Sequence, residues 1–134
     1  MGLVAIALVA VACSSSSQDR ATPPGAVRLK VSDFAIKAPK RIAAGTIVFD
    51  VRNEGPDTHE LILVRGNGSK LPFRPDNLTI DEDALEPRTV SVLEDDHPGT
   101  VRLWNVRLAP GRYELLCNMS GHYLGGMSTE LIVR

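Results

Sequence analysis

The chain has 134 residues, with 15 Lys and Arg against 16 Asp and Glu and a formal net charge of −1. This length favours one domain that buries a core without help from disulfides. The balanced charge offers no basic excess for nucleic acid and no acidic excess for a disordered chain. The two cysteines, Cys13 and Cys117, invite a disulfide, but each stands in a local context that gives it another task.

Residues 1–12 are all apolar or Gly. At about 1.5 Å per helical residue they fall short of a hydrocarbon core roughly 30 Å thick. They match the apolar region of a secretory signal instead. Ala10-Val11-Ala12-Cys13 followed by four serines resembles a bacterial lipoprotein signal, in which the Cys carries the lipid. The match departs in two places: no Lys or Arg precedes the apolar run, and Ala10 stands where Leu is usual. On this resemblance, residues 1–12 are a signal peptide and Cys13 is the lipidation site. Residues 14–25, SSSSQDRATPPG, have almost nothing to bury, so 13–25 reads as a lipid-anchored flexible tether to a domain at 26–134.

From Ala26 onward short β-type runs are punctuated by Gly and Pro. Val27, Leu29 and Val31 alternate with polar residues, as do Ile47, Phe49 and Val51. HELILVR from His59, 89–93, 101–108, 113–117 and 129–133 continue the series. Period-two alternation with turns at this spacing predicts an all-β sandwich or barrel of about seven to eight strands. Trp104 alternates with Val106 and Leu108 and belongs in the core. Residues 69–86 read as a loop with one helical turn. The acidic stretches 81–83 and 94–96, and His97 beside them, read as solvated.

The chemistry concentrates in Cys117-Asn118-Met119-Ser120-Gly121-His122-Tyr123-Leu124-Gly125-Gly126-Met127. A thiolate, an imidazole and a thioether share one loop between two predicted strands. Glycines at 121, 125 and 126 let that loop turn tightly. A fourth donor must come from elsewhere, and His59 opens a strand directly after a turn. One Cys, two His and a weak axial Met are the donors of blue-copper electron transfer. Zinc prefers a fourth donor stronger than a thioether. A Cys–His nucleophile pair needs an oriented base and an oxyanion site, and no signal for these accompanies Cys117, so an enzyme is not expected.

HELILVR and LAPGRYELLCNMSGHYLGGMSTELIV resemble the small cupredoxins, and the C-x4-H-x4-M spacing is most like the rusticyanin and sulfocyanin branch. The resemblance covers most of 26–134. It implies a Greek-key β-sandwich with one type 1 copper at one end, held by His59, Cys117, His122 and axial Met127. It implies that the loop His is the electron port, surrounded by Glu60, Asn118, Met119, Gly121, Tyr123 and Leu124, with Met119, Tyr123 and Leu124 as an apolar patch. Glu60 departs from the family's habit of Asn or Ser after the first ligand. The expected protein is a monomeric electron carrier, lipid-anchored at the outer side of a bacterial membrane. It would exchange electrons with a redox protein such as a cytochrome or a membrane oxidase or reductase. The alternatives are a copper carrier that delivers metal to an oxidase, and a metal-free adhesion or scaffold module.

Overall fold

The computed structural model describes residues 20–66 and 68–134. The expected signal peptide and Cys13 lie outside the described residues. The strands, in chain order, are β1 (Val27–Ser32), β2 (Ala35–Lys37), β3 (Arg41–Ile42), β4 (Gly45–Asn53), β5 (His59–Arg65), β6 (Thr89–Asp96), β7 (Val101–Leu108), β8 (Gly111–Cys117) and β9 (Ser128–Val133). They form two mixed sheets, β2-β1-β4-β7 and β3-β9-β8-β5-β6, packed as a β-sandwich. Nine strands stand where about seven to eight were expected: β2 and β3, three and two residues long, are too short to display a period.

Alternation builds the core. β4 turns Ile47, Phe49 and Val51 inward, β1 turns Leu29 and Val31, and β8 turns Tyr113, Leu115 and Cys117. Parallel pairing of β1 with β4 sets Val27 opposite Phe49, and antiparallel β7 sets Trp104 opposite Phe49 on the other side. Trp104 is buried as expected, and its indole N–H donates to Ser91 Oγ at 2.9 Å, which ties one sheet to the other. Burying each large apolar side chain of this kind contributes roughly 1.5–3 kcal/mol.

β5 is apolar on both faces. Leu61 and Leu63 enter the main core, while Ile62 and Val64 join Leu116 of β8 in a second cluster. Leu71, Ile80 and Leu85 from the 66–88 connection cover that cluster. The connection contains the single helical turn expected, α1 (Glu82–Leu85), capped by the Asp81 side chain on the Ala84 N–H at 3.2 Å. A 3₁₀ turn, Glu86–Arg88, follows and leads into β6.

The outer face of β4 is polar and yet buried. Asp50 and Arg52 form an ion pair at 3.0 Å, with side chains 1% and 8% exposed. Part of the expected tether covers it. Thr22 donates its hydroxyl to Asp50 Oδ2 at 2.6 Å, and Arg52 donates to the Arg20 carbonyl. Arg20 and Thr22, within the expected tether, are therefore bonded to the sheet. The acidic stretch 94–96 also differs from expectation. It ends β6, and Asp96 is fully buried, accepting from the Thr100 hydroxyl at 3.0 Å. Burial pushes its carboxyl above the usual range, against the pull of that hydrogen bond. His97 is exposed in the turn that follows, with Nδ1 3.1 Å from Thr58 Oγ1.

Candidate metal centre

β5 and β8 run antiparallel with Leu61 opposite Cys117. The start of one and the end of the other therefore emerge together, which brings His59 beside Cys117 from 58 positions away. Cys117 Sγ lies 3.8 Å from His59 Nδ1 and 3.6 Å from His122 Nδ1. One donor atom from each of the three residues lies within 4.8 Å of the others. All three are buried: His59 and Cys117 fully, His122 at 7% exposure.

The loop that carries His122 is wound on its own backbone. Met119 O accepts from the His122 N–H at 2.9 Å, and His122 O accepts from the Met127 N–H at 3.0 Å. Met127 O in turn accepts from the Cys117 N–H at 3.0 Å. This closes the loop and places the buried Met127 side chain in the same apolar cluster as Cys117. Gly121 and Gly126 take positive φ, 77° and 98°, which only glycine adopts without strain. Gly125 serves a different need: a Cβ there would meet the Phe34 ring at 2.2 Å.

Asn118 fastens the loop to the connection that covers the second cluster. Its Oδ1 accepts from the Ile80 N–H at 2.6 Å, and its amide donates to Ile80 O at 3.2 Å and Glu82 Oε1 at 2.8 Å. The side chain thus pairs with Ile80 as a neighbouring strand would. The Gly121 N–H adds a bond to Leu78 O at 3.0 Å.

Electrostatics suit a soft metal. Burial raises the Cys117 thiol above its ordinary pKa, while the backbone N–H groups of Met119 and Glu60, bonded to the sulfur, pull it back. Glu60, where the family has Asn or Ser, stands directly after His59. Its carboxyl is half-buried and raised by burial and by Glu82, Glu94 and Asp95. Burial also lowers the His59 pKa, helped by His122 and opposed by Asp33 and Asp57. A thiol that must lose its proton, two imidazoles and a buried thioether fit copper. His59, Cys117, His122 and Met127 form the cluster typical of a type 1 copper site.

Around His122, Met119 and Leu124 are 37% and 55% exposed. Tyr123 packs instead onto the second cluster, its hydroxyl 3.2 Å from Glu114 Oε1. Sequence reasoning missed three neighbours. The Phe34 ring lies 5.2 Å from the His122 ring and is 51% exposed. Asp33 Oδ1 stands 3.6 Å from His59 Nε2, and Asp57 Oδ2 stands 3.6 Å from His122 Nε2. Nothing in their local sequence marks them, since the chain fold alone brings them to the rings.

No protein-family model matches the sequence, and no curated protein matches it. Solved structures do. An auracyanin from the photosynthetic bacterium Roseiflexus castenholzii is 19% identical over 82% of this chain and 97% of its own, with a TM-score of 0.59. Auracyanin A from Chloroflexus aurantiacus, described as a "blue" copper protein, is 20% identical over 82% and 100%, with a TM-score of 0.54. Rusticyanin from Thiobacillus ferrooxidans is 16% identical over 84% and 79%, with a TM-score of 0.52. At these identities the likeness shows the fold: a cupredoxin-like β-sandwich.

Proposed function

We propose that this chain is a type 1 copper electron carrier, not an enzyme, working at the outer side of a bacterial membrane. The observation that carries the reading is the convergence of two imidazole Nδ1 atoms on one buried thiol sulfur, with all three donors within 4.8 Å. Copper, when bound, supplies a one-electron couple between Cu(I) and Cu(II).

The chain's own residues do the rest. β5 and β8 hold His59 and Cys117 from paired strands, so these donors keep their places in both oxidation states. The closed loop does the same for His122 and Met127. The surrounding core excludes water from the sulfur. His122 is the donor nearest the surface, and exposed Phe34, Met119 and Leu124 give it an apolar rim. A redox protein with an apolar docking face would meet the carrier there. Lipidation at Cys13 would keep the domain near such a partner and raise its effective concentration.

The test is a visible and EPR spectrum of the full chain with one equivalent of Cu(II), repeated with Cys117→Ser. An intense thiolate-to-copper band with a narrow hyperfine splitting, both lost in the variant, is the expected result. A pale Cu(II) spectrum indifferent to the substitution overturns the reading and favours the copper carrier or the metal-free scaffold.

A further inference from the structure

Both histidines are bracketed. Each turns Nδ1 to the Cys117 sulfur and Nε2 to a carboxylate: Asp33 for His59 and Asp57 for His122, each at 3.6 Å. The two acids come from different parts of the chain. Asp33 sits in the turn between β1 and β2, and Asp57 in the connection between β4 and β5. The Asp57 N–H donates to Asp33 Oδ1 at 3.3 Å, so the acids are fixed to each other as well. His59 Nε2 is fully buried and has no hydrogen-bond partner. Asp33, its side chain 23% exposed, supplies the facing carboxylate.

Resting on the copper reading above, we propose that Asp33 and Asp57 are positioning residues that hold both rings with Nδ1 free for the metal and lower the site's reduction potential. Two physical steps lead there. A ring that ligates through Nδ1 carries its proton on Nε2, and a negative carboxylate facing that side favours this tautomer and ring orientation electrostatically. A carboxylate in that place also carries charge. The copper site gains one positive charge on oxidation, and a nearby negative charge favours the more positive state. Asp33 acts more strongly than Asp57, because Asp57 is 59% exposed and its field is screened by water.

Neither acid hydrogen-bonds the sulfur, and the Asp33 charge acts on it only through space. Asp33→Asn keeps an oxygen for the Asp57 N–H and removes only the charge. Asp57→Asn does the same at an exposed position, where folding is not at stake.

The experiment is a redox titration of the copper-loaded full chain and both Asn variants. It is paired with nitrogen NMR of the ring tautomers in the metal-free chain and in Asp33→Ala. At a fixed solution poise, Asp33→Asn is expected to lower the Cu(II)-to-Cu(I) ratio about tenfold, equivalent to about 59 mV for one electron. Asp57→Asn is expected to lower it by less. In the metal-free chain, His59 is expected in the single Nε2–H tautomer, and as a mixture in Asp33→Ala. A blue parent chain whose ratio neither substitution moves overturns the electrostatic role and leaves the copper reading standing. An unchanged His59 tautomer in Asp33→Ala overturns the positioning role. A parent chain with no blue band overturns the copper reading and the potential-lowering role together.

Discussion

The two outer faces of the sandwich are covered in opposite ways. Over β5 and β8 the cover is apolar: Leu71, Ile80 and Leu85 close on Ile62, Val64 and Leu116. Over β4 it is polar: Thr22 and the Arg20 carbonyl close on the Asp50–Arg52 pair. The apolar cover gains hydrophobic free energy directly. The polar one must first offset the desolvation of two charges, so its intact form contributes little and its broken form costs much. The covers also differ in what they touch. The site loop is bonded to the apolar cover through Asn118 and Gly121, whereas the polar clasp joins the N-terminal segment to β4. Damage to the first should therefore reach the metal centre, and damage to the second should remain a matter of stability.

The largest expected effect is on the apolar side. Leu85 is fully buried, and Leu85→Ala deletes its side chain under a cover held largely by such contacts. Denaturant unfolding should show a loss of about 2–5 kcal/mol, and copper should leave the folded variant faster than the parent. A loss of that size with unchanged copper release would separate the cover from the site and break the comparison. On the polar side, Asp50→Ala leaves Arg52 buried beside Thr22 and the Arg20 carbonyl. Stripping one member from such a pair costs about 3 kcal/mol, at the low end because that carbonyl still accepts from Arg52. Here the visible spectrum and copper release should match the parent, and a shifted absorption band would show that the clasp reaches the site after all.

The same contrast explains what the sequence made legible. The donors were readable because three of them share one short loop and the fourth opens a strongly alternating strand; local spacing carries that information. The apolar cover was half legible, since Leu71, Ile80 and Leu85 lie in a segment whose prolines and acids signal a loop. The polar cover was hidden. Asp50 and Arg52 occupy outward positions of β4, where alternation predicts solvent, and only the folded chain shows Thr22 lying on them. Asp96 misled in the same way, because an acidic run usually faces water and this one enters the sheet edge beside His59. Asp33, Phe34 and Asp57 reach the rings through the pairing of β1 with β4 and β2. Those contacts depend on register between distant segments, which composition and periodicity do not encode. The short β2 and β3 escaped because two or three residues cannot display an alternation.

The smallest effect should be the most discriminating. Asn118 joins the two regions: it is 5% exposed and stands directly after the thiolate donor. Asn118→Ala removes an acceptor from the Ile80 N–H and donors from Ile80 O and Glu82 Oε1. Leaving the buried Ile80 N–H without a partner costs about 1–3 kcal/mol, no more than either cover mutation at its upper range. The backbone bond from the Asn118 N–H to Glu60 O, 3.1 Å long, survives the change, so Cys117 should keep its place and the blue band its position. What should change is the far side of the loop. With its tie to Ile80 gone, the loop keeps only the Gly121 N–H bond to that cover, beside its own turn and the contacts of His122 with Phe34 and Asp57, and copper release should accelerate more than the lost stability alone explains. Comparing release rates for Asn118→Ala and Asp50→Ala at matched stability checks this. Equal rates would mean that the loop is rigid by its internal bonds, and that the apolar cover protects the fold without protecting the metal.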